Sequence, residues 1–130
     1  MADVEILRSI DIEDEVRKAL KDKFCVYVRP LPEKFTVPSL LVQSVGGTEE
    51  KKIDTFDVVI DARAKDDADA NELIRNAIGY LKVIAREQMT PIRHVTVNSS
   101  GSWGSDPVRP DLAMYSARVR ITTHQEKTTI

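Results

Sequence analysis

The stretch from Asp67 to Glu87 constrains the fold more than any other part of the chain. Acidic residues are concentrated at its start, and Lys82 and Arg86 lie near its end. The charges at both termini therefore interact favourably with a helix dipole and favour a helix. An apolar stripe of this width is stable only when it covers another layer, and strand-like stretches lie on both sides of it. Its apolar residues recur at steps of three and four, which gives one continuous helical stripe: Ala70, Leu73, Ile74, Ala77, Ile78, Leu81, Ile84 and Ala85.

A second amphipathic helix and five strands are predicted around this helix. Asp11 is a candidate N-cap for a helix whose buried stripe starts at Ile12. Polar, glycine-rich connections are predicted as loops over residues 46–52 and 98–111. Short links favour antiparallel neighbours, so the sequence predicts an α+β fold: a mostly antiparallel mixed sheet of about five strands with two amphipathic helices on one face. Alternation and β-branched content place the strands at residues 25–29, 39–45, 53–62, 92–97 and 112–123.

Length and composition predict one domain over residues 1–130. Residues 1–10 are expected to form either an extra helical turn or an arm, and the polar residues 124–130 a loose tail. The net charge of −2 gives no overall basic footprint for nucleic acid. No apolar run approaches a membrane span, and the acidic N-terminus is not expected to be a signal peptide. Cys25 is the only cysteine, so no intrachain disulfide is expected and a reducing interior fits.

Few residues lie in a sequence context that is typical of catalytic or metal-binding sites. Asp57 and Asp61 share a strand face at a separation of about 13 Å, which is too far for a shared proton. A solvated face, or cross-strand pairing with Arg118 and Arg120, explains them better. His94 has no nucleophile in a recognisable setting, and Cys25 fits a buried small apolar residue. No catalytic, cofactor-binding or metal-binding residue is assigned, and the chain is not expected to be an enzyme.

The order of several short motifs carries a resemblance that covers residues 10–123. A proline-bounded strand ends in a Gly-Gly pair, an alternating strand leads into an Ala/Leu helix, and a tryptophan-containing loop precedes the last strand. In this order the chain resembles the tail terminator (tail completion) proteins of long-tailed bacteriophages and their prophages. The residues are Pro38-Ser39-Leu40-Leu41-Val42, Gly46-Gly47, the strand from Phe56 to Ala62, the helix from Ala68 to Ala85, Ser102-Trp103 and Met114 to Ile121.

The resemblance implies a structural function. Such proteins form a homo-oligomeric ring, usually of six copies, that caps the tail tube, ends its polymerisation and offers a surface for joining to the head connector. The implied partners are further copies of the chain, the tail tube protein and the head–tail connector protein. DNA would pass through the lumen without sequence-specific binding. No cofactor or membrane is implied, and the implied location is the tail or neck of the virion after assembly in the host cytoplasm.

Within that hypothesis, the predicted loops are the candidate contact sites, since loops on a rigid sheet carry recognition. Trp103, between flexible residues, is either an interface anchor or a lid over the core. A polar strand face turned toward the lumen would hold DNA off by repulsion, with basic residues neutralising part of it; its candidates are Asp57, Asp61, Arg118 and Arg120. The candidate interface residues are Gly46, Gly47, Glu49, Glu50, Lys51, Trp103, Asp106 and Arg109.

Three other interpretations stay open. The chain would also fit another head–tail connector (neck) protein. A small ligand-binding or regulatory α+β domain would be a dimer with a pocket under the helix Asp67–Glu87. A hydrolase would gather Asp57 or His94 in a concave site.

Overall fold

The computed structural model of the chain describes residues 2–50, 52–106 and 109–130. Both predicted helices are confirmed, the second with the bounds expected from its stripe. In chain order the elements are β1 (Glu5–Arg8), α1 (Ile12–Leu20), β2 (Val26–Val28), β3 (Ser39–Glu50), β4 (Ile53–Ala64), α2 (Asp67–Glu87), β5 (Ile92–Ser105), β6 (Ala113–His124) and β7 (Glu126–Thr129).

Five strands form one sheet in the order β2-β3-β4-β6-β5. Strand β2 runs parallel to β3, and every other neighbouring pair is antiparallel. Both helices pack on the same face of this sheet, α1 over β2 and β3 and α2 over β4, β6 and β5. The predicted α+β fold, a mostly antiparallel mixed sheet of five strands with two helices on one face, is therefore confirmed.

The core lies between the helices and the inner face of the sheet. Alternate residues of β4, among them Val58 and Ile60, are fully buried beneath α2, as are Val119 and Ile121 of β6. The stripe of α2 meets them with side chains such as Leu81, which has no exposed surface. Because successive strand residues point to opposite faces, this burial leaves the other face of the sheet without a helix layer.

Side-chain caps fix where the helices begin. Asp11 Oδ1 accepts a hydrogen bond from the Asp14 N–H at 3.2 Å, and Asp66 Oδ1 accepts one from the Asp69 N–H at 2.8 Å. Each cap satisfies a backbone donor that has no partner within its own helix. Helix α2 ends at Gln88, which adopts a left-handed conformation with a φ of 60°.

The two ends of the chain differ from the prediction. Glu5–Arg8 and Glu126–Thr129 pair antiparallel as a two-stranded ribbon, so the extra helical turn predicted as one alternative does not form in residues 5–8 and the tail is not loose. Arg8 Nε adds an ion pair to Glu126 at 3.0 Å. The sequence shows no sign of this pairing because the partners are more than a hundred positions apart and only one strand is apolar.

Both predicted loops are wrong over much of their length. Strand β3 continues through Gly46 and Gly47 to Glu50, with a shift of register between Ser44 and Gly46. A Cβ on Gly47 would collide with the carbonyl oxygen of Thr55, so glycine is required here by the approach of β4. Strand β5 likewise continues through most of the second predicted loop. Lys51 lies outside the described residues.

The carboxylate of Glu13 connects α1 to β3. It accepts hydrogen bonds from the Arg29 guanidinium and, at 2.9 Å, from the Ser44 N–H beside the bulge. Burial disfavours the charge of Glu13, but these hydrogen bonds outweigh that effect and hold the pKa of its carboxyl below the ordinary value of 4.5. Ionised Glu13 therefore stabilises the folded state.

Leu81→Ala should lower the free energy of unfolding by about 2–5 kcal/mol, because it leaves a cavity under α2. Urea unfolding at pH 7 measures the change. Met89→Ala is the matched control, since Met89 is 86% exposed and its truncation should change stability by no more than about 0.5 kcal/mol. Equal losses in the two variants would contradict the assignment of the core.

Glu13→Gln should cost about 1 kcal/mol of stability at pH 7. Because the folded-state pKa is lowered, the contribution is complete above the unfolded-state value of 4.5 and is lost as the pH falls through the folded-state pKa. Urea unfolding at pH 7 and pH 3 should show the gap between wild type and variant narrowing. Glu15→Gln, in the same helix, is the control, and a constant gap for Glu13→Gln would refute the link.

Candidate interface surfaces

The predicted interface residues fall at opposite ends of the sheet. Gly46, Gly47, Glu49 and Glu50 are exposed along the outer half of β3, which pairs with the beginning of β4. Trp103 lies near the end of β5, which reaches the last residues of β4 through β6. Gly47 is opposed to Phe56 on β4, and Trp103 reaches Ala62 on β4 through Tyr115, so the two groups are separated by about 20 Å along the sheet. They form two surfaces, and we call them the hairpin end and the tryptophan end.

Trp103 is held by its polar edge and open on its apolar surface. Its Nε1–H donates to Asp67 Oδ1 at 3.0 Å, in the first turn of α2, yet the residue is 62% exposed. It borders a surface cavity of about 310 Å³ together with Lys65 and Leu112. Of the two predicted roles for Trp103, the lid over the core does not fit this exposure, whereas a pre-oriented aromatic anchor does.

Asp106 is not an open contact residue, contrary to the expectation from sequence. It is 2% exposed and accepts a hydrogen bond from Arg63 Nε at 2.7 Å. Both side chains of this ion pair are nearly fully buried. Burial of a charged pair is sustained only when the partners stay together, so Asp106 fixes the segment after β5 to the end of β4.

Arg109 is exposed and binds Asp111 through two hydrogen bonds of 3.0 and 2.9 Å. These hydrogen bonds lower the pKa of the Asp111 carboxyl below its ordinary value. The Arg109 guanidinium also lies 6.0 Å from the ring centroid of Phe35, and the Arg63 guanidinium lies 5.8 Å from the same centroid. Phe35 and Arg63 thus organise the tryptophan end, and sequence reasoning missed both.

A signal for Arg63 was present in the sequence. It lies between Ala62 and Ala64 at the end of the alternating strand, and an arginine that is buried there needs an acidic partner. Nothing in the sequence indicated which acid that partner is, because Asp106 lies more than forty positions further on.

The polar face of the sheet carries paired charges. Asp57 Oδ1 accepts a hydrogen bond from Arg120 Nε at 3.1 Å across β4 and β6, which confirms the predicted cross-strand pairing for this pair. Asp61 is buried and accepts hydrogen bonds from Gln43 at 3.0 Å and Ser116 at 2.5 Å. Arg118 is exposed and makes no ion pair within the described ranges. This face is therefore close to neutral.

The groups that a hydrolase would need are not brought together. Asp57 lies on β4 and His94 on β5, and β6 lies between these strands, so about 10 Å separates them. Cys25 is exposed, with its Sγ 3.3 Å from Thr36 Oγ1, so its prediction as a buried residue is wrong.

A cavity of about 400 Å³ borders the first turns of α2. Its lining includes Pro38, Lys65, Asp69, Glu72 and Leu73. Its position is the one that the interpretation as a ligand-binding domain predicts.

Comparison of the sequence with models of known protein families and with curated proteins finds no match. Among the described residues, no helix is long and apolar enough to span a membrane.

Arg63→Met should lower the free energy of unfolding by about 3–5 kcal/mol, because it removes the buried guanidinium that compensates the charge of Asp106. Arg120→Met is the matched control: its pair with Asp57 is largely exposed and should be worth no more than about 1 kcal/mol. Urea unfolding at pH 7 compares them. Replacing both members of the buried pair, as Arg63→Met with Asp106→Leu, should recover most of the loss, and equal losses for the two single variants would contradict this account.

Proposed function

We propose that the chain is a structural subunit of a homo-oligomeric ring of about six copies, resembling phage tail terminators, that caps a tail tube and joins it to a head connector. The observation that carries the proposal is the open edge of the sheet at β5. Within the described residues no strand pairs with the outer side of β5, and it is 14 residues long. Such an edge offers backbone hydrogen bonds to a second copy.

The separation of the two candidate surfaces also supports a ring. The hairpin end carries the exposed carboxylates Glu49 and Glu50, and the tryptophan end carries an exposed aromatic side chain. Surfaces that differ in chemistry and lie at opposite ends of a subunit suit head-to-tail contacts, which close into rings.

The neutral polar face is compatible with a lumen through which DNA moves. Asp57 and Arg120 neutralise each other, and Arg118 is a further exposed cation on this face. A surface with little net charge releases few counterions from DNA and so binds it weakly.

The cavity beside α2 favours one alternative, a ligand-binding or regulatory domain. It combines apolar side chains such as Leu73 with the charged groups Lys65, Asp69 and Glu72. That function predicts a dimer of fixed size that binds a small molecule, and it does not need the open edge of β5.

Purified protein should form rings visible by negative-stain electron microscopy, with a mass near six subunits in light scattering. Trp103→Ala should keep the circular dichroism spectrum of the wild type and shift the assembly midpoint at least tenfold toward higher protein concentration, because an exposed aromatic anchor is lost.

Met89→Ala is the matched control, because Met89 is more exposed than Trp103 and lies at the other end of α2. It should assemble as the wild type does. A dimer that persists at all concentrations, with no rings, would exclude the ring and favour the regulatory alternative. Rings that are equally sensitive to both substitutions would keep the ring but remove Trp103 from its contacts.

A further inference from the structure

Among the described residues, two buried oxygen atoms at the hairpin end have no hydrogen-bond partner. Asp54 and Thr123 are each 1% exposed, and Asp54 Oδ2 and Thr123 Oγ1 are both unsatisfied. The two residues are directly opposed on β4 and β6, where facing Cβ atoms lie about 4.5–5.5 Å apart. A buried polar atom without a partner destabilises the folded state, so two adjacent ones mark a place where a further group would be stabilising.

A second carboxylate lies beside this pair. Glu49 is opposed to Asp54 on the other neighbouring strand, β3. The Gln125 amide nitrogen donates to Glu49 Oε1 at 3.0 Å and to Asp54 Oδ1 at 2.9 Å, so these two oxygens are no more than about 6 Å apart. A neutral amide cannot compensate two negative charges, and neither carboxylate has an ion-pair partner in the described part of the chain.

Both carboxylates line one cavity of about 250 Å³. The other residues that line it include Ser9 and Ser44, which bear further oxygen atoms. No nitrogen- or sulfur-containing ligand contributes to this lining, and oxygen-only surroundings suit a hard cation.

We propose that Asp54 and Glu49 hold a divalent cation, with Thr123 and cavity waters completing its oxygen ligands. Two carboxylates balance the charge of one such ion. Ca²⁺ fits better than Mg²⁺, because it accepts irregular sets of six to eight oxygens, whereas Mg²⁺ requires a nearly ideal octahedron. Within the described residues no group of three or more His, Cys, Asp or Glu converges, so the site is one of modest affinity.

The ion would tie together elements that are distant in sequence. Glu49 lies on β3, Asp54 on β4 and Thr123 on β6, and Gln125 leads into the terminal ribbon. Binding would thus stabilise the hairpin end in its folded form, because the unfolded chain does not bring these ligands together. The site does not depend on the proposed ring.

The test is thermal unfolding of the full chain, after dialysis against EDTA, with CaCl₂ or MgCl₂ added at millimolar concentration. Ca²⁺ should raise the midpoint temperature by about 5 °C or more at saturation, and Mg²⁺ by less. Asp54→Asn, which removes the charge and keeps the shape, should abolish the rise. Glu49→Gln should weaken Ca²⁺ binding at least tenfold in a calorimetric titration.

Glu50→Gln is the matched control, since Glu50 is the exposed neighbour of Glu49 and lines no part of the cavity. It should respond to Ca²⁺ as the wild type does. If the wild type shows neither a shift nor calorimetric heat with CaCl₂, the proposal is overturned and an ordered water or a proton satisfies Asp54. Equal responses in Glu49→Gln and wild type would also overturn it, even if Asp54→Asn fails to fold.

Discussion

The structure depends on one apolar contact, between the stripe of α2 and the inner face of β4, β6 and β5. Residues such as Leu81 on the helix and Ile60 on the sheet have no exposed surface. Because side chains alternate along a strand, burial of one face fixes the register of every strand and commits the opposite set of side chains to the other face. The polar face of the sheet follows from that division. The core requires neither the bulge between Ser44 and Gly46 nor the outer edge of β5.

Buried polar side chains at the two ends of the sheet differ in whether other groups of the chain satisfy them. At the tryptophan end, Arg63 and Asp106 compensate each other, so the end is complete within one chain. At the hairpin end, Asp54 and Thr123 are equally buried, but each has an oxygen atom without a hydrogen-bond partner in the part of the chain that the structure describes. Two such atoms destabilise the fold unless a further group binds them. The ion pair at the tryptophan end shows that buried charges in this fold can be satisfied within the chain. The difference points to a hairpin end that is completed from outside the chain.

Periodicity predicted the helices and the middle of each strand, because burial imposes a repeat that can be counted. The stripe of α2 gave both of its bounds, and Asp11 was correctly identified as a cap. The predicted ends of β3 and β5 are wrong, because pairing with the neighbouring strand, and not local composition, determines where these strands end. Ser99 and the residues 102–105 have a loop-like composition but pair with β6, and Gly46-Gly47 has the composition of a turn although both glycines pair with β4 directly after a bulge. The ribbon of β1 and β7 and the partner of Arg63 depend on contacts distant in sequence, which no local pattern encodes.

The irregular shape of β5 limits which strands of other molecules can pair with its open edge. Its pairing with β6 shifts register at three points, between Ile92 and His94, between Val97 and Ser99, and between Ser99 and Ser102. Bulges bend and twist an edge strand, so a flat strand of another molecule cannot pair with β5 along its whole length. A partner must match these irregularities, and a second copy in one defined orientation does so more readily than a random strand. If the chain forms the proposed ring, an irregular edge would provide affinity and selectivity together and would disfavour growth into a fibre.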